Sequence, residues 1–328
     1  MKEVILLADK NSKAWNFAEK IQAHLYKTKE ISLPLCEVNI THFRNGEILP
    51  EIPENMRGKN VYFIQDSSKD PQTWWVELVL IKDLLLSASA ESVTFVLPNM
   101  LYSRQDRKDK PHVPISARAL AKSIAPNLKR IITMDLHAGQ IQGFYPENLP
   151  VDNLYSFPEV VRYLRLHHFE DLNNLAIVSP DAGAAGRTKA FLRRLEKAQK
   201  DSLIKQEYSF ALLSKERSVR GEIGSAQLIG DVKGKNVLIP DDIIDSGNTL
   251  CKAAEVLKSH GAKKIFCYAT HGIFSKGTTE LCQCYDAVMT SNTHHQEDNN
   301  LEVIDVSSLF AEAIYRVQVG LSISKLFD

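Results

Sequence analysis

Residues 241–249 set acids, hydroxyls and a glycine at close spacing: Asp241, Asp242, Asp245, Ser246, Gly247, Asn248 and Thr249. They follow an apolar run at 236–239 and precede a helical pattern at 250–259. A short loop of small residues ahead of a helix can aim backbone N–H groups, and here the hydroxyls of Ser246 and Thr249, at a phosphate. The helix N-terminus adds a partial positive charge. Asp241 and Asp242 would repel a phosphate, so they imply a ligand that also carries hydroxyls, and a phosphorylated sugar fits. An ordinary strand–turn–helix with an acidic cap explains one such Asp. It does not explain Asp-Asp-x-x-Asp-Ser-Gly-x-Thr.

Five further groups have both a chemical and a plain reading. Asp181, Ala182 and Gly183 follow the apolar run 175–179, and small residues there let backbone approach an anion closely; a glycine-rich connection would look the same. Lys215 and Arg217 sit at alternate positions, so they share one side of an extended segment while Glu216 faces away; such cations are usually surface charge. Phe43, Asn45 and Glu47 offer a stacking face and polar edges to a purine, or simply form a loop. Arg104, Gln105 and Asp106 lie past the run 93–97 in a basic segment, either solvated or a flap over a nucleotide. His137 follows a strand and Asp135, where a histidine is most often structural, and Mg²⁺ prefers oxygen ligands.

Short apolar runs at 4–7, 61–65, 93–97, 130–134, 175–179, 209–213, 236–239, 264–268 and 287–290 predict strands. Helical patterns at 14–25, 73–88, 116–124, 158–168, 187–198 and 250–259 alternate with them. Unbroken Val/Ile/Leu strands between helices predict α/β architecture with helices on both faces of mostly parallel sheets. The alternation runs through 328 residues, which favours two similar domains, 1–150 and 151–328, with a last helix that can return to the first. The break is placed at 144–153, where Tyr145, Pro146 and Pro150 interrupt any regular element. A faint echo between 131–135 and 237–241, each an apolar strand ending in acid, supports the division without making a repeat.

Lys+Arg and Asp+Glu both number 40, so bulk charge steers the chain toward neither nucleic acid nor a membrane. The most apolar stretch, 74–86, is interrupted by Glu77, Lys82 and Asp83 and is too short to span a bilayer. The N-terminus reads as a first strand, not a signal peptide. Five unevenly spaced cysteines complete no zinc pattern and read as reduced thiols in a cytoplasmic protein.

The 236–250 segment resembles the phosphoribosyl-diphosphate-binding signature shared by type I phosphoribosyltransferases and ribose-phosphate pyrophosphokinases. The stretches around Phe43, Arg104, Met134-Asp135-Leu136-His137, Asp181 and Lys215 resemble the second family in particular, in the same order, from about 43 to 327. The resemblance implies a type I phosphoribosyltransferase-like fold and transfer of diphosphate from ATP to ribose 5-phosphate for nucleotide biosynthesis. It implies Mg²⁺ as cofactor, with His137 and Asp181 at the metal site. Phe43, Asn45, Glu47, Arg104, Gln105 and Asp106 would bind ATP, and Asp181, Ala182 and Gly183 the pyrophosphate. Residues 241–249 named above would bind ribose 5-phosphate, and Lys215 and Arg217 would be catalytic. A homo-oligomer, commonly a hexamer, is implied too. Two rival readings stand beside it: a phosphoribosyltransferase, and a catalytically silent regulatory homologue.

The sequence departs from the family at several points. Asn248 replaces the signature's second glycine, and a left-handed Asn would be tolerable there. Pro240 replaces a common valine and lacks a donor, which implies a ladder gap. Gly183-Ala184 stands for Gly-Gly, Ile48-Leu49-Pro50-Glu51 for a polar regulatory stretch, and His294-His295 for Ile-Pro.

Overall fold

The computed structural model describes residues 3–199, 206–215 and 226–327; Glu216 and Arg217 lie outside them, and Lys215 enters through its backbone alone. The chain divides into two compact units, Met1–Tyr155 with Thr293–His295 and Val306–Asp328, and Ser156–Asn292 with Gln296–Asp305.

In the first unit the chain runs β1 (Val4–Asp9), α1 (Lys13–Lys29), β2 (Leu35–His42), β3 (Ile48–Glu51), β4 (Asn60–Ile64), α2 (Pro71–Ser87), β5 (Ser92–Leu97), α3 (Ser116–Ile124), β6 (Arg130–Met134) and β7 (Val151–Leu154). Its seven strands are ordered β3-β2-β1-β4-β5-β6-β7, all parallel except β3, which is antiparallel to β2. The second unit runs α4 (Phe157–His167), β8 (Leu175–Ser179), α5 (Ala185–Ala198), β9 (Tyr208–Lys215), β10 (Ala226–Ile229), β11 (Asn236–Ile244), α6 (Asn248–Ser259), β12 (Lys264–Gly272), α7 (Thr279–Cys284), β13 (Ala287–Ser291) and β14 (Leu301–Ile304). Its order, β10-β9-β8-β11-β12-β13-β14 with β10 antiparallel to β9, is the first sheet's order again. A final helix, α8 (Ser307–Val319), belongs to the first unit.

Alternating side chains along each strand feed two cores. In the first unit Ile5, Leu7, Phe63 and Phe95 pack with Trp74 and Leu78 of α2. Leu6, Tyr62 and Ile64 face the other way, onto Ile21 of α1 and Phe310 and Ile314 of α8. In the second unit Val237 and Ile239 pack with Leu250 and Leu257 of α6, and Leu238 with Phe191 of α5 and Val160 of α4. Among the described residues no helix is long and apolar enough to cross a membrane.

Three expectations change. The break falls after Tyr155, not at 150, because β7 pairs with β6 from Val151–Ile131 to Leu154–Met134 and so completes the first sheet. The echo joins strands that are not equivalent: 131–135 ends β6, whereas by sheet order the counterpart of β11 is β4. The strand predicted at 236–239 continues through both acids to Ile244.

Each sheet reverses its chain order once, between β1 and β4 and between β8 and β11, the place where open α/β sheets bind ligands. The first unit lines its own reversal point with an ion network and two capped helix starts. Lys69 Nζ lies 2.7 Å from Asp9 Oδ2 and 2.7 Å from Glu77 Oε1. Asp66 Oδ2 accepts the N–H of Lys13 at 2.9 Å, and Ser12 and Asp70 cap α1 and α2. A Lys69→Met variant leaves Asp9 and the buried Glu77 without their cation, and should cost about 3–5 kcal/mol of first-unit stability at pH 8. Urea unfolding should show that loss shrinking at pH 5, because burial raises the Glu77 carboxyl and it can take a proton instead; an equal loss at both pH values would refute the assigned role.

Candidate active site

At the second reversal point the strands part. β11 pairs with β8 only as far as Leu238–Ile177, while along β12 it continues to Ile244–Gly272. Pro240, which has no N–H to donate, stands two residues beyond the last pair on the β8 side, so the ladder gap read from the sequence lies on that side. The opening is bordered by the loop after β8 and by the acids of β11.

The loop after β8 is organised by Asp181. Its Oδ1 accepts the N–H of Ala184 at 2.9 Å, and Ser179 Oγ donates to its carbonyl at 2.7 Å. A Cβ on Gly183 would sit 3.2 Å from that Oδ1, so the position favours glycine. α5 then starts with no side-chain cap. Lys215 ends β9 three residues past Leu212, the partner of Ser179, which puts its backbone on the same carboxyl edge as Asp181.

Asp241 and Asp242 are held by a residue that the sequence reading passed over. Arg187 Nη1, from the first turn of α5, lies 3.0 Å from Asp241 Oδ1 and 2.5 Å from Asp242 Oδ1. Asp241 Oδ1 also accepts the N–H of Asp242 at 2.9 Å. Burial pushes the Asp241 carboxyl up to about 7; the neighbouring Asp242 adds to the rise and the Arg187 guanidinium opposes it. One signal for Arg187 was legible in sequence. A cation in the first turn of a helix opposes the dipole and calls for an acidic partner elsewhere.

Beyond the acids, Asp245 Oδ1 accepts Ser275 Oγ at 2.6 Å, which braces the loop. Gly247 adopts φ 75°, a left-handed geometry that selects glycine. Asn248 is instead the first residue of α6 and is not among the positive-φ residues, so the left-handed geometry expected of it belongs to Gly247 alone. No side chain caps α6, and the first helical N–H bond runs from Cys251 to the Gly247 carbonyl. The N–H groups of Asn248, Thr249 and Leu250 therefore face the loop's mouth, as an anion site requires. Asp241, Asp242, Asp245, Ser246, Gly247, Asn248 and Thr249 thus meet at one sheet edge with Asp181, Ala182 and Gly183.

The remaining candidates lie in the first unit. Gln140 Nε2 donates to Asp106 Oδ2 at 2.5 Å, and Ser116 Oγ to Gln105 Oε1 at 2.5 Å. The Arg104 loop is thereby tied to the segment of His137, and the Asp106 carboxylate already has a partner. The turn leading to His137 is braced from β7, with Leu136 N–H bonded to Asn153 Oδ1 at 3.0 Å. Phe43, Asn45 and Glu47 form the exposed tip of the β2–β3 hairpin, closed by Phe43 N–H to Glu47 O at 2.8 Å. The tip follows β2, whereas the Arg104 loop follows β5.

For a metal, Asp181 offers a half-buried carboxylate and His137 a half-buried imidazole, one in each unit. Among the described residues no group of three or more His, Cys, Asp or Glu could hold an ion. Of these, the Asp181 carboxylate suits Mg²⁺, which binds one or two carboxylates and keeps water or substrate phosphate for its other positions, whereas the His137 imidazole is not a donor it favours.

Comparison with known proteins agrees with this geometry. Residues 5–126 match the family model for the N-terminal domain of ribose phosphate pyrophosphokinase, and residues 212–328 that for the phosphoribosyl synthetase-associated domain. The chain is 38% identical over 322 residues to a ribose-phosphate pyrophosphokinase of Agrobacterium fabrum, covering 95% of this chain and 99% of that protein. It is 39% identical over 308 residues to one of Rhizobium meliloti, covering 91% and 94%. The crystal structure of phosphoribosylpyrophosphate synthetase from Mycobacterium smegmatis is similar throughout, with a TM-score of 0.84 and 28% identity over 97% of this chain and 100% of that one. With two α/β units of the same sheet order and relatives that match nearly end to end, the chain belongs to the ribose-phosphate pyrophosphokinase family.

Proposed function

We propose that the chain transfers the β,γ-diphosphoryl group of ATP to the C1 hydroxyl of ribose 5-phosphate, giving 5-phosphoribosyl 1-diphosphate and AMP, as a cytoplasmic enzyme. The observation that carries this reading is the parted edge of β8 and β11, where an acid pair adjoins an uncapped helix start. Asp241 and Asp242 accept the ribose hydroxyls, and Ser246, Thr249 and the first N–H groups of α6 take the 5-phosphate. Asp245 shapes that loop through Ser275. The loop of Asp181, Ala182 and Gly183 takes the diphosphate. The sugar's anomeric oxygen attacks Pβ, the bond from Pβ to the oxygen of AMP breaks, and the hydroxyl proton passes to solvent or to a nearby base.

Lys215 and Arg217 are assigned the negative charge that grows on the transferring group, with Arg217 binding phosphoryl oxygens bidentately and Lys215 acting as a point charge. Mg²⁺, held by the Asp181 carboxylate and the substrate's own phosphate oxygens, would supply charge neutralisation on the triphosphate; His137 joins it by resemblance alone. Phe43, Asn45 and Glu47 read adenine, and Arg104 and Gln105 hold the nucleotide's phosphates. The hairpin tip and the Arg104 loop leave strands β2 and β5, which stand three places apart, about 14 Å at ordinary strand spacing. That separation supports a homo-oligomer, a hexamer by resemblance, in which a second copy brings its hairpin to this loop.

Incubation of the pure protein with ATP, Mg²⁺ and ribose 5-phosphate should release AMP in step with 5-phosphoribosyl 1-diphosphate. Consumption of 5-phosphoribosyl 1-diphosphate with a nucleobase would mean a phosphoribosyltransferase, and no turnover a silent homologue. Asp242→Asn removes a charged acceptor worth about 1.5–3 kcal/mol, so KM for ribose 5-phosphate should rise about 10- to 100-fold with KM for ATP little changed. Equal changes in both KM values would move the sugar elsewhere. Lys215→Ala and Arg217→Ala should each lower kcat by about 10²–10³ with unaltered circular dichroism. Glu216→Ala, at the position between the two cations, should be nearly silent; damage comparable to Lys215→Ala would contradict the roles assigned to Lys215 and Arg217.

A further inference from the structure

Arg187 stands where an arginine is costly unless something specific requires it. It occupies the third position of α5, in the first turn, where the helix dipole disfavours a cation and no acidic residue of that turn offsets it. Across the opening, two consecutive carboxylates are sheltered at the end of β11, Asp242 being buried. Two adjacent acids in such a place repel each other, and each pays for lost hydration. One guanidinium nitrogen reaches both, at 3.0 and 2.5 Å. The contact also links the helix that follows the Asp181 loop to the strand that carries the sugar-binding acids.

We propose that Arg187 is the positioning residue of the sugar site, fixing Asp241 and Asp242 in the orientation that accepts the ribose hydroxyls and coupling that orientation to the diphosphate loop. The proposal rests on the sugar-site reading given above. Arg187 acts through the two carboxylates, not on the reacting atoms. Its effect should therefore appear in ribose 5-phosphate binding and in the ionisation of the acids before it appears in turnover.

The charged surroundings of Asp241 make the pH readout interpretable. On its own strand it faces Asp242, and from α5 it faces Arg187. The next titratable groups at this edge are Asp181 in the loop after β8 and the buried His271 of β12, which pairs with Ile243. Burial and the neighbouring Asp242 raise the Asp241 carboxyl while Arg187 opposes the rise, so removal of the cation should move its ionisation to higher pH.

The test compares Arg187→Gln, Arg187→Lys, Asp241→Asn and the Arg187→Gln/Asp241→Asn double variant, measuring kcat and both KM values from pH 5.5 to 9. Arg187→Gln should raise KM for ribose 5-phosphate about tenfold or more, leave KM for ATP within about threefold, and shift the acid limb of kcat/KM for the sugar to higher pH. Arg187→Lys keeps a cation but not the fork, so the acid limb should return toward its original place while KM recovers only in part. In the Asp241→Asn background Arg187→Gln should add less than it does alone, because the two residues share one interaction. An unmoved acid limb, or equal effects of Arg187→Gln with and without Asp241, would reduce Arg187 to a structural contact and overturn the proposal. Should Arg187→Gln not fold, the Arg187→Lys split between pH limb and KM decides the matter. An unchanged sugar KM in Asp241→Asn would instead overturn the sugar-site reading, and the proposal with it.

Discussion

Two carboxylates on consecutive residues, kept partly from water at the end of a buried strand, are the constraint around which the second unit is arranged. Asp241 and Asp242 can remain there because β8 leaves the ladder at Leu238, because Arg187 reaches both from α5, and because β12 supports β11 through Ile244. Each of these features opens or charges the same edge. The loop that follows ends in a left-handed glycine and an uncapped helix, so hydroxyl acceptors and phosphate donors lie side by side. A sugar phosphate asks for both.

The first unit shows what the same topology does without that arrangement. Its strands repeat the order of the second sheet, and its reversal point has the same pair of helix starts. There, however, Ser12 and Asp70 cap the helices, Asp66 bonds the N–H of Lys13, and Lys69 bridges Asp9 and Glu77. Several of the charged groups and helix-start donors at this point are thereby engaged within the chain. In the proposed reading the first unit contributes through its loops and hairpin: Arg104 and Gln105 beyond β5, His137 beyond β6, and the exposed tip at Phe43.

The central strands were legible because they are unbroken apolar runs, as at 130–134 and 175–179, and the acid-rich loop was legible because its residue types have one chemistry in common. Edge strands were not. β2 carries Glu37, Asn39 and Thr41 among its apolar residues, and β3 holds Pro50, so neither gives a continuous apolar run; their pairing comes from the sheet. α8 was expected to return to the first domain but could not be bounded from the pattern, whereas Phe310 and Ile314 show the face that holds it there. Two similar domains were legible from the alternation of strands and helices, but not their shared strand order, because topology, not sequence, is what the two units have in common. Arg187 escaped notice because a single Arg in a basic helix has no distinctive spacing. Its meaning comes from Asp241 and Asp242, 54 and 55 residues away in sequence.

The central claim is that the second reversal point, and not its counterpart in the first unit, receives the sugar phosphate. Hydrogen–deuterium exchange of the whole protein, with and without ribose 5-phosphate, tests it most directly. Slower exchange should appear in the backbone amides of 245–251 at the start of α6, while 9–13 and 66–73 in the first unit exchange as before. Protection confined to 9–13 and 66–73, with 245–251 unchanged, would contradict the account.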